Sequence, residues 1–394
     1  MTAAVAQGVG RWRYLGSYLG DQFGDGLLYT SLGWISTPLA GPLGSIGIVG
    51  AAAVARLLGT FLLGGAVADR FGARSVVTTT LLIRVLALAA FGIAATAESV
   101  SAVFVTALAF GAVDGVHGPA MEALSIDAAP GDQESVQGLM VSSKEIALLA
   151  SGPIAGVLIG WHVSLVAGLG ILALTLSRAL LTGTIRGDES VAAPPVALIQ
   201  EGLGAWRKVI RLPGIARLLV PFMLANLFAS PILITALPII AHDRSWHAWQ
   251  FGSVDAGVAL GALVGGIAVT YWSDQLKPAG PRWALLSLIP MSAALASIGV
   301  VSSWVWCCVL GAVAGVSMGM GPALLKARMN DLAPKEFIGR VVGVRLGSIM
   351  IGTPVGYALL AGLQPLMGTP AAIVTLGAAL LVVSAFLVRS VWTE

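Results

Sequence analysis

The feature that most constrains this chain is a series of long apolar runs spread over its 394 residues. About 20 apolar residues are enough for a helix to cross the hydrocarbon core of a bilayer. The runs lack the period-2 alternation of membrane strands, and only 10% of the residues are charged, against roughly 25% in soluble domains. The sequence therefore predicts an all-α membrane protein, in which the net charge of +3 reflects membrane topology rather than nucleic-acid binding. The twelve predicted spans, called span one to span twelve, lie near residues 14–37, 43–68, 75–96, 100–127, 135–160, 163–183, 214–241, 250–272, 282–300, 303–328, 336–363 and 370–390.

The distribution of lysine and arginine predicts the orientation of these spans. Cytoplasmic segments of membrane proteins are enriched in both residues. With the N-terminus inside, the predicted external segments contain Arg244 alone, whereas the cytoplasmic segments contain most of the other cations. We therefore expect a multi-pass protein of the inner (plasma) membrane with both termini in the cytoplasm.

Parts of the chain repeat half a chain apart, which indicates duplication. FGAVDGV (110–116) resembles LGAVAGV (310–316), and a Gly-Pro-Ala triplet follows each of them. Internal repeats of this kind are common in secondary transporters. We expect two pseudo-symmetric six-helix bundles joined by a cytoplasmic linker in which WRKVIR forms an interfacial helix. The predicted bounds are 1–183 for the first bundle, 184–213 for the linker and 214–394 for the second bundle.

A charged loop between spans two and three carries the clearest motif, GAVADRFGAR (65–74). A glycine in its turn allows positive φ, and its carboxylate suits the N-terminus of a nearby helix. The stretch resembles the signature loop of the major facilitator superfamily, G-x-x-x-D-R-x-G-x-R. The resemblance implies two six-helix bundles that transport by alternating access, with the loop controlling conformation near the start of span eleven. The matching positions are Gly65, Asp69, Arg70, Gly72 and Arg74.

Further short motifs favour an exporter within that superfamily. Gly152, Pro153 and Gly156 on span five resemble its antiporter motif. GRVVG (339–343) and GDGLL (24–28) are similar to segments of the macrolide-efflux-type branch. The second of these also resembles bacterial lysophospholipid transporters, so lipid movement without obligatory proton coupling stays open as an alternative. Span four lacks the early arginine common in drug–proton antiporters, so the proton-release scheme of that group does not carry over directly.

The first half concentrates ionisable residues inside its predicted spans. An ionised group in a membrane is costly and marks a candidate functional site. We expect Asp25 to pair with Arg56, and Asp21, Asp114 and Glu122 to form a polar path that opens to the cytoplasm. Proton binding along this path would couple to substrate export, the alternative being neutralised pairs that only fix helix register.

A central cavity lined by spans one, four, seven and ten would bind an amphipathic small molecule such as a drug or secondary metabolite. Lys144 and Glu145 are candidate gate partners, although snorkelling to the interface would explain them equally well. No phosphate-binding loop, nucleophile motif or metal-ligand set is evident, so we expect no enzyme activity, metal or cofactor. The expected partners are protons, substrate and membrane lipid, and the protein is expected to be monomeric. Candidate cavity residues are Tyr18, Tyr29, Trp34, His117, Met121, Asn226, Phe228, Met318 and Met320.

Overall fold

Helices that cross a membrane make up nearly all of the fold. The computed structural model describes residues 3–61, 65–128, 133–182, 208–212, 214–276, 279–332 and 338–392. Ten helices in this part of the chain are long and apolar enough to span a membrane. Their bounds are Ala3–Gly59, Ala73–Thr96, Val100–Ala128, Gln133–Trp161, Val163–Leu181, Ile215–Pro231 continuing to Leu237–Asp243, Ala248–Tyr271, Gly280–Val300, Trp304–Leu332 and Ile338–Trp392.

The first and last of these helices each contain two spans. The apolar part of the first runs from Gly10 to Gly59, 50 residues, or about 75 Å at 1.5 Å per residue. Its backbone turns at Gly41 (φ 70°, ψ 175°), and the last helix turns at Gly368 (φ 78°, ψ 162°). This φ/ψ region is essentially restricted to glycine. The ten helices therefore give the twelve predicted spans, but these two connections are glycine turns rather than loops.

Span two differs from its prediction at one end. It was expected to run to residue 68, but its α-helix ends at Gly59, and a separate short helix, Gly65–Phe71, leads into span three. A matching short helix, Ser273–Leu276, lies between spans eight and nine. Residues 208–210 of the predicted interfacial helix are helical, whereas most of the linker falls outside the described residues.

The two halves use the same helix pairs for internal packing. Spans two and four approach so closely that a Cβ added at Gly59 would lie 2.5 Å from the carbonyl oxygen of Ala112. The corresponding spans, eight and ten, pack through small residues in the same way, and an added Cβ at Gly257 would lie 2.6 Å from the Cys308 oxygen. Without a hydrophobic driving force in lipid, such close backbone packing stabilises helix pairs.

The halves meet at the end of the molecule opposite the chain termini, which we call the distal end; the other end is the terminal end. The contact surface here, called the distal seam, joins spans one and seven, two and eleven, and five and eight. Trp34 packs on His242 with ring centroids 4.0 Å apart. A Cβ added at Gly50 would lie 3.2 Å from the Tyr357 Cβ. The distal end is therefore closed in this conformation.

Candidate functional site

The centre of the first half contains a buried ion cluster. Arg84 on span three donates from one terminal nitrogen to Asp21 and from the other to Asp25, both on span one. The Arg84 side chain is 0% exposed, and its guanidinium lies 4.8 Å from the ring centroid of Phe110. Because the two aspartates are four residues apart on one helix face, one planar guanidinium reaches both of them.

A second ion pair in the same half joins spans two and four. The Nε of Arg56 lies 2.9 Å from Oδ2 of Asp114, and the Tyr29 hydroxyl donates to the same oxygen at 3.2 Å. The side chain of Arg56 is 39% exposed, whereas that of Asp114 is 3% exposed. Arg56 is also within electrostatic range of Asp21. The second pair therefore extends the first, with its guanidinium facing open space and its carboxylate buried.

His117 on span four lies at the centre of this site. Its Nε2 is 3.2 Å from Oδ2 of Asp21, and its Nδ1 is 2.8 Å from Oγ1 of Thr80. The Thr80 oxygen is in turn 2.7 Å from the backbone carbonyl oxygen of Val76. A hydroxyl has one hydrogen. When Thr80 donates it to that carbonyl, its oxygen accepts from Nδ1 of His117, whereas Nε2 of His117 has no partner with hydrogen-bond geometry among the described residues.

We call this site the charge cluster. Its carboxylates and arginines do not balance, because three aspartates face two guanidinium groups. A buried charge without a counter-charge is costly. One bound proton would make the cluster neutral. The members are Asp21, Asp25, Arg56, Arg84, Asp114 and His117.

The predicted pair between Asp25 and Arg56 is wrong. Asp25 is bound by Arg84, and Arg56 is drawn to Asp114 because close packing of spans two and four brings these side chains together. The predicted polar path is only partly assembled. Asp21 and Asp114 belong to the charge cluster, whereas Glu122 lies nearer the terminal end, within electrostatic range of Tyr18.

No role was assigned to Arg84 or Thr80 from the sequence alone. The available signal was a polar pair at helical spacing on each of three spans. Asp21 and Asp25 are four residues apart on span one, Thr80 and Arg84 are four apart on span three, and Asp114 and His117 are three apart on span four. Residues at these spacings share a helix face, so the three faces converge.

The candidate cavity residues lie in four different environments. Met121 and Phe228 are buried in the packed core, and His117 belongs to the charge cluster. Trp34 stacks at the distal seam. The remaining candidates are partly exposed, and ligand contact stays a prediction for them. They are Tyr18, Tyr29, Asn226, Met318 and Met320.

The predicted gating residues of span five lie at two different places. Gly152 is at the distal seam, where an added Cβ would lie 2.8 Å from the carbonyl oxygen of Gly252. Beside it, Thr30 of span one donates to Asp255 of span eight at 3.2 Å, which links the two halves. Towards the terminal end, Lys144 is exposed and Glu145 is partly exposed.

The family of the chain follows from comparison with known proteins. The model described as Major Facilitator Superfamily matches residues 14–233 and again residues 219–394. The chain belongs to the Major Facilitator Superfamily. It is accordingly a multi-pass membrane transporter rather than an enzyme. These comparisons do not confirm the resemblance to its macrolide-efflux branch, which stays a prediction.

Two relatives within the superfamily illustrate its range. The enterobactin exporter of Shigella flexneri is 26% identical over 178 residues, 45% of this chain and 43% of the relative, so less than half of that exporter's length is matched. The 3-(3-hydroxy-phenyl)propionate transporter of Escherichia coli (strain K12) is 27% identical over 340 residues, 82% of this chain and 78% of the relative.

Solved structures share the superfamily fold across almost the whole chain. A POT family transporter in complex with 5-aminolevulinic acid gives a TM-score of 0.77 at 13% identity, covering 96% of this chain and 95% of that one. The human organic anion transporter MFSD10 gives 0.69 at 15% identity, covering 97% and 99%. At these identities the likeness establishes the fold alone.

The superfamily signature loop has the turn that its sequence predicts. Gly72 adopts φ 77° just before span three, and Nη2 of Arg74 donates to the backbone oxygen of Leu181 at 3.1 Å. This bond fixes the loop to the end of span six. Arg70 is exposed. The side chain of Asp69 and the start of span eleven, its predicted neighbour, fall outside the described residues.

Proposed function

We propose that this protein is a proton-coupled exporter of amphipathic small molecules, in which the charge cluster binds and releases the coupling proton. The observation that carries the proposal is the charge balance of the cluster, three aspartates against two arginines, with His117 between Asp21 and Thr80. One bound proton neutralises it. Losing that proton leaves one uncompensated negative charge in a buried site, which disfavours the conformation that buries it.

This charge change supplies a link between proton binding and alternating access. A conformation that admits water to the cluster tolerates its deprotonated form, whereas the conformation with a dry cluster requires the proton. Asp25 has the most exposed carboxylate in the cluster, at 12%, and offers the shortest route for a proton. We also propose that the terminal end faces the cytoplasm, so that protons moving inward drive substrate outward through the distal end.

Export rather than import is supported by the antiporter-like motif on span five, whose glycines lie at the distal seam, and by the existence of a relative named as an exporter. Lysophospholipid movement remains the alternative function. It differs in one measurable property, since it does not require proton exchange.

Proteoliposomes containing a pH-sensitive dye test the proposal. Gradients of a catecholate siderophore, an aromatic acid, a lipophilic cationic dye and a lysophospholipid are imposed in turn, and internal pH is recorded. We expect at least one of the first three to drive a proton flux opposite to its own movement. His117→Gln and Asp25→Asn should abolish that flux. His162→Gln is the matched control, because His162 is exposed and caps span six.

Two results would contradict the proposal. A substrate-driven proton flux that persists in both His117→Gln and Asp25→Asn would remove the cluster from coupling. Lysophospholipid movement that is unchanged without a proton gradient would instead favour the lipid transporter.

A further inference from the structure

The terminal end contains a group of charges that the proposed proton site does not use. Arg345 on span eleven and Lys326 on span ten are partly exposed and within electrostatic range of each other. In the first half, Glu122 of span four is within electrostatic range of both. A carboxylate of the first half therefore lies near two cations of the second half.

Arg345 has no side-chain hydrogen bond or ion pair with any residue in the described part of the chain. Its guanidinium instead lies 5.9 Å from the ring centroid of Phe222 on span seven. Phe222 is 2% exposed, so it forms a fixed backing for the arginine, and a cation–π contact at this distance favours that position. A guanidinium that is held in this way, and whose donors meet no acceptor within the described residues, is pre-organised for an external acceptor.

The neighbourhood of Arg345 also has an apolar side. Ile349 lies one helical turn further along span eleven, and residues four apart share a helix face. Ile349 is partly exposed and packs against the same apolar cluster as Phe222. A ligand whose anionic group met Arg345 would therefore find apolar surface next to it.

From these contacts we infer that Arg345, supported by Lys326, binds the anionic group of the transported molecule, so that the substrate class is an amphipathic anion. The inference rests on the proposed transport function and names its substrate chemistry. A carboxylate on an aromatic body and the phosphate of a lysolipid share this chemistry. An anionic ligand would be attracted to both cations.

Glu122 gives the site a means of releasing its ligand. In the present conformation Glu122 and Arg345 are not within ion-pair distance, since no such pair occurs among the described residues. Closure at the terminal end brings the halves, and so these two side chains, closer together. Glu122 then competes with the ligand for the same cations, which favours departure of the anion from this end of the cavity.

Equilibrium binding to the full-length protein in nanodiscs tests the inference without any proton gradient. The probes are 3-phenylpropionate, its neutral amide 3-phenylpropionamide, and lysophosphatidylglycerol. We expect at least one anionic probe to bind more tightly than the amide. Arg345→Gln should weaken that probe about 10- to 100-fold, as expected when a charge-assisted hydrogen bond is lost, and should leave amide binding unchanged. Arg345→Lys should retain part of the preference, because it keeps the charge.

Two further variants make the result decisive. Lys326→Gln should weaken the same anion less than Arg345→Gln does, and it replaces that variant if the latter fails to fold. Arg178→Gln is the matched control, since Nε of Arg178 binds the backbone oxygen of Thr78 within the first half. Phenylpropionate bound through Arg345 would identify a free organic acid, and lysophosphatidylglycerol alone bound through it would identify a lipid headgroup.

The inference is overturned if Arg345→Gln and Lys326→Gln keep the anion preference, or if the wild-type protein prefers the amide or binds no anionic probe. Because no gradient is present, these outcomes are independent of the proton-flux experiment. A protein that binds anions through Arg345 but moves no protons would instead refute the proposed coupling.

Discussion

Replacing Gly156 by alanine should open the distal seam. A Cβ added at Gly156 would lie 2.6 Å from the Cα of Trp249 and 2.8 Å from the carbonyl carbon of Ala248. Both atoms belong to the backbone of span eight, in the other half, so no side-chain rotation relieves the contact. Carbon atoms pack best at about 3.5–4.0 Å, so the two spans must separate locally by about 1 Å.

The expected change in the ratio of open-seam to closed-seam molecules follows from the free-energy cost of overpacking. Forcing an extra methyl group into a tight contact costs about 1–3 kcal/mol. The cost falls on the closed-seam conformation, because the atoms that Gly156 meets there belong to the opposite half. Since 1.4 kcal/mol is a factor of ten, the ratio of open-seam to closed-seam molecules should rise roughly 5- to 150-fold.

Hydrogen–deuterium exchange on the full-length protein in nanodiscs measures this shift. Backbone amides in the distal parts of spans seven and eight should exchange faster in Gly156→Ala. Gly160→Ala is the matched control, because Gly160 lies on the same helix with no atom within 4 Å of an added Cβ. Both variants gain the same intrinsic helix propensity, about 1 kcal/mol. Equal exchange in the two variants would refute the steric argument.

Three further predictions concern the packing of the charge cluster, the seam and the first turn. Arg84→Gln leaves Asp25 without its ion-pair partner and Asp21 with His117 alone, and it should lower stability by about 3–5 kcal/mol. Thermal stability in detergent should therefore fall in this variant and be nearly unchanged in Arg178→Gln. Thr30→Val removes the hydrogen bond to Asp255 and should destabilise the closed seam by about 1 kcal/mol. If hydrogen–deuterium exchange in span eight were unchanged in this variant, the prediction would be wrong. Gly41→Ala places a side chain on a residue whose backbone conformation only glycine adopts readily, and it should lower the free energy of unfolding by about 1–3 kcal/mol. If the variant kept the thermal stability of the wild-type protein, the turn at Gly41 would be wrong.

The fold was predictable from the sequence because bilayer thickness and the repeat leave few alternatives. Twelve apolar runs with cations on alternate sides predict the path of the chain, and the repeated segments predict two halves. The turns at Gly41 and Gly368 were not anticipated. They replace loops with single residues because flanking prolines, such as Pro42 and Pro370, limit helical hydrogen bonding next to a glycine.

The members of the charge cluster were largely predictable, but their partners were not. In a soluble helix the apolar stripe shows which face is buried. Spans such as one and four are apolar on almost every face, so the sequence does not reveal how each is rotated. Glycine contacts between neighbouring spans determine that rotation, and they turned Arg56 towards Asp114 rather than Asp25.

The distribution of charge between the halves is consistent with proton binding in the first half and substrate binding in the second. The first half holds the buried charge cluster, for which we propose proton binding, whereas Arg345 and Lys326 of the second half are partly exposed cations at the terminal end. Proton and anionic substrate would then occupy different halves, and neither would have to displace the other directly. In that case, proton binding and substrate binding are coupled only through the relative movement of the two halves. A single methyl group added at the distal seam should therefore change transport, although it touches neither binding site.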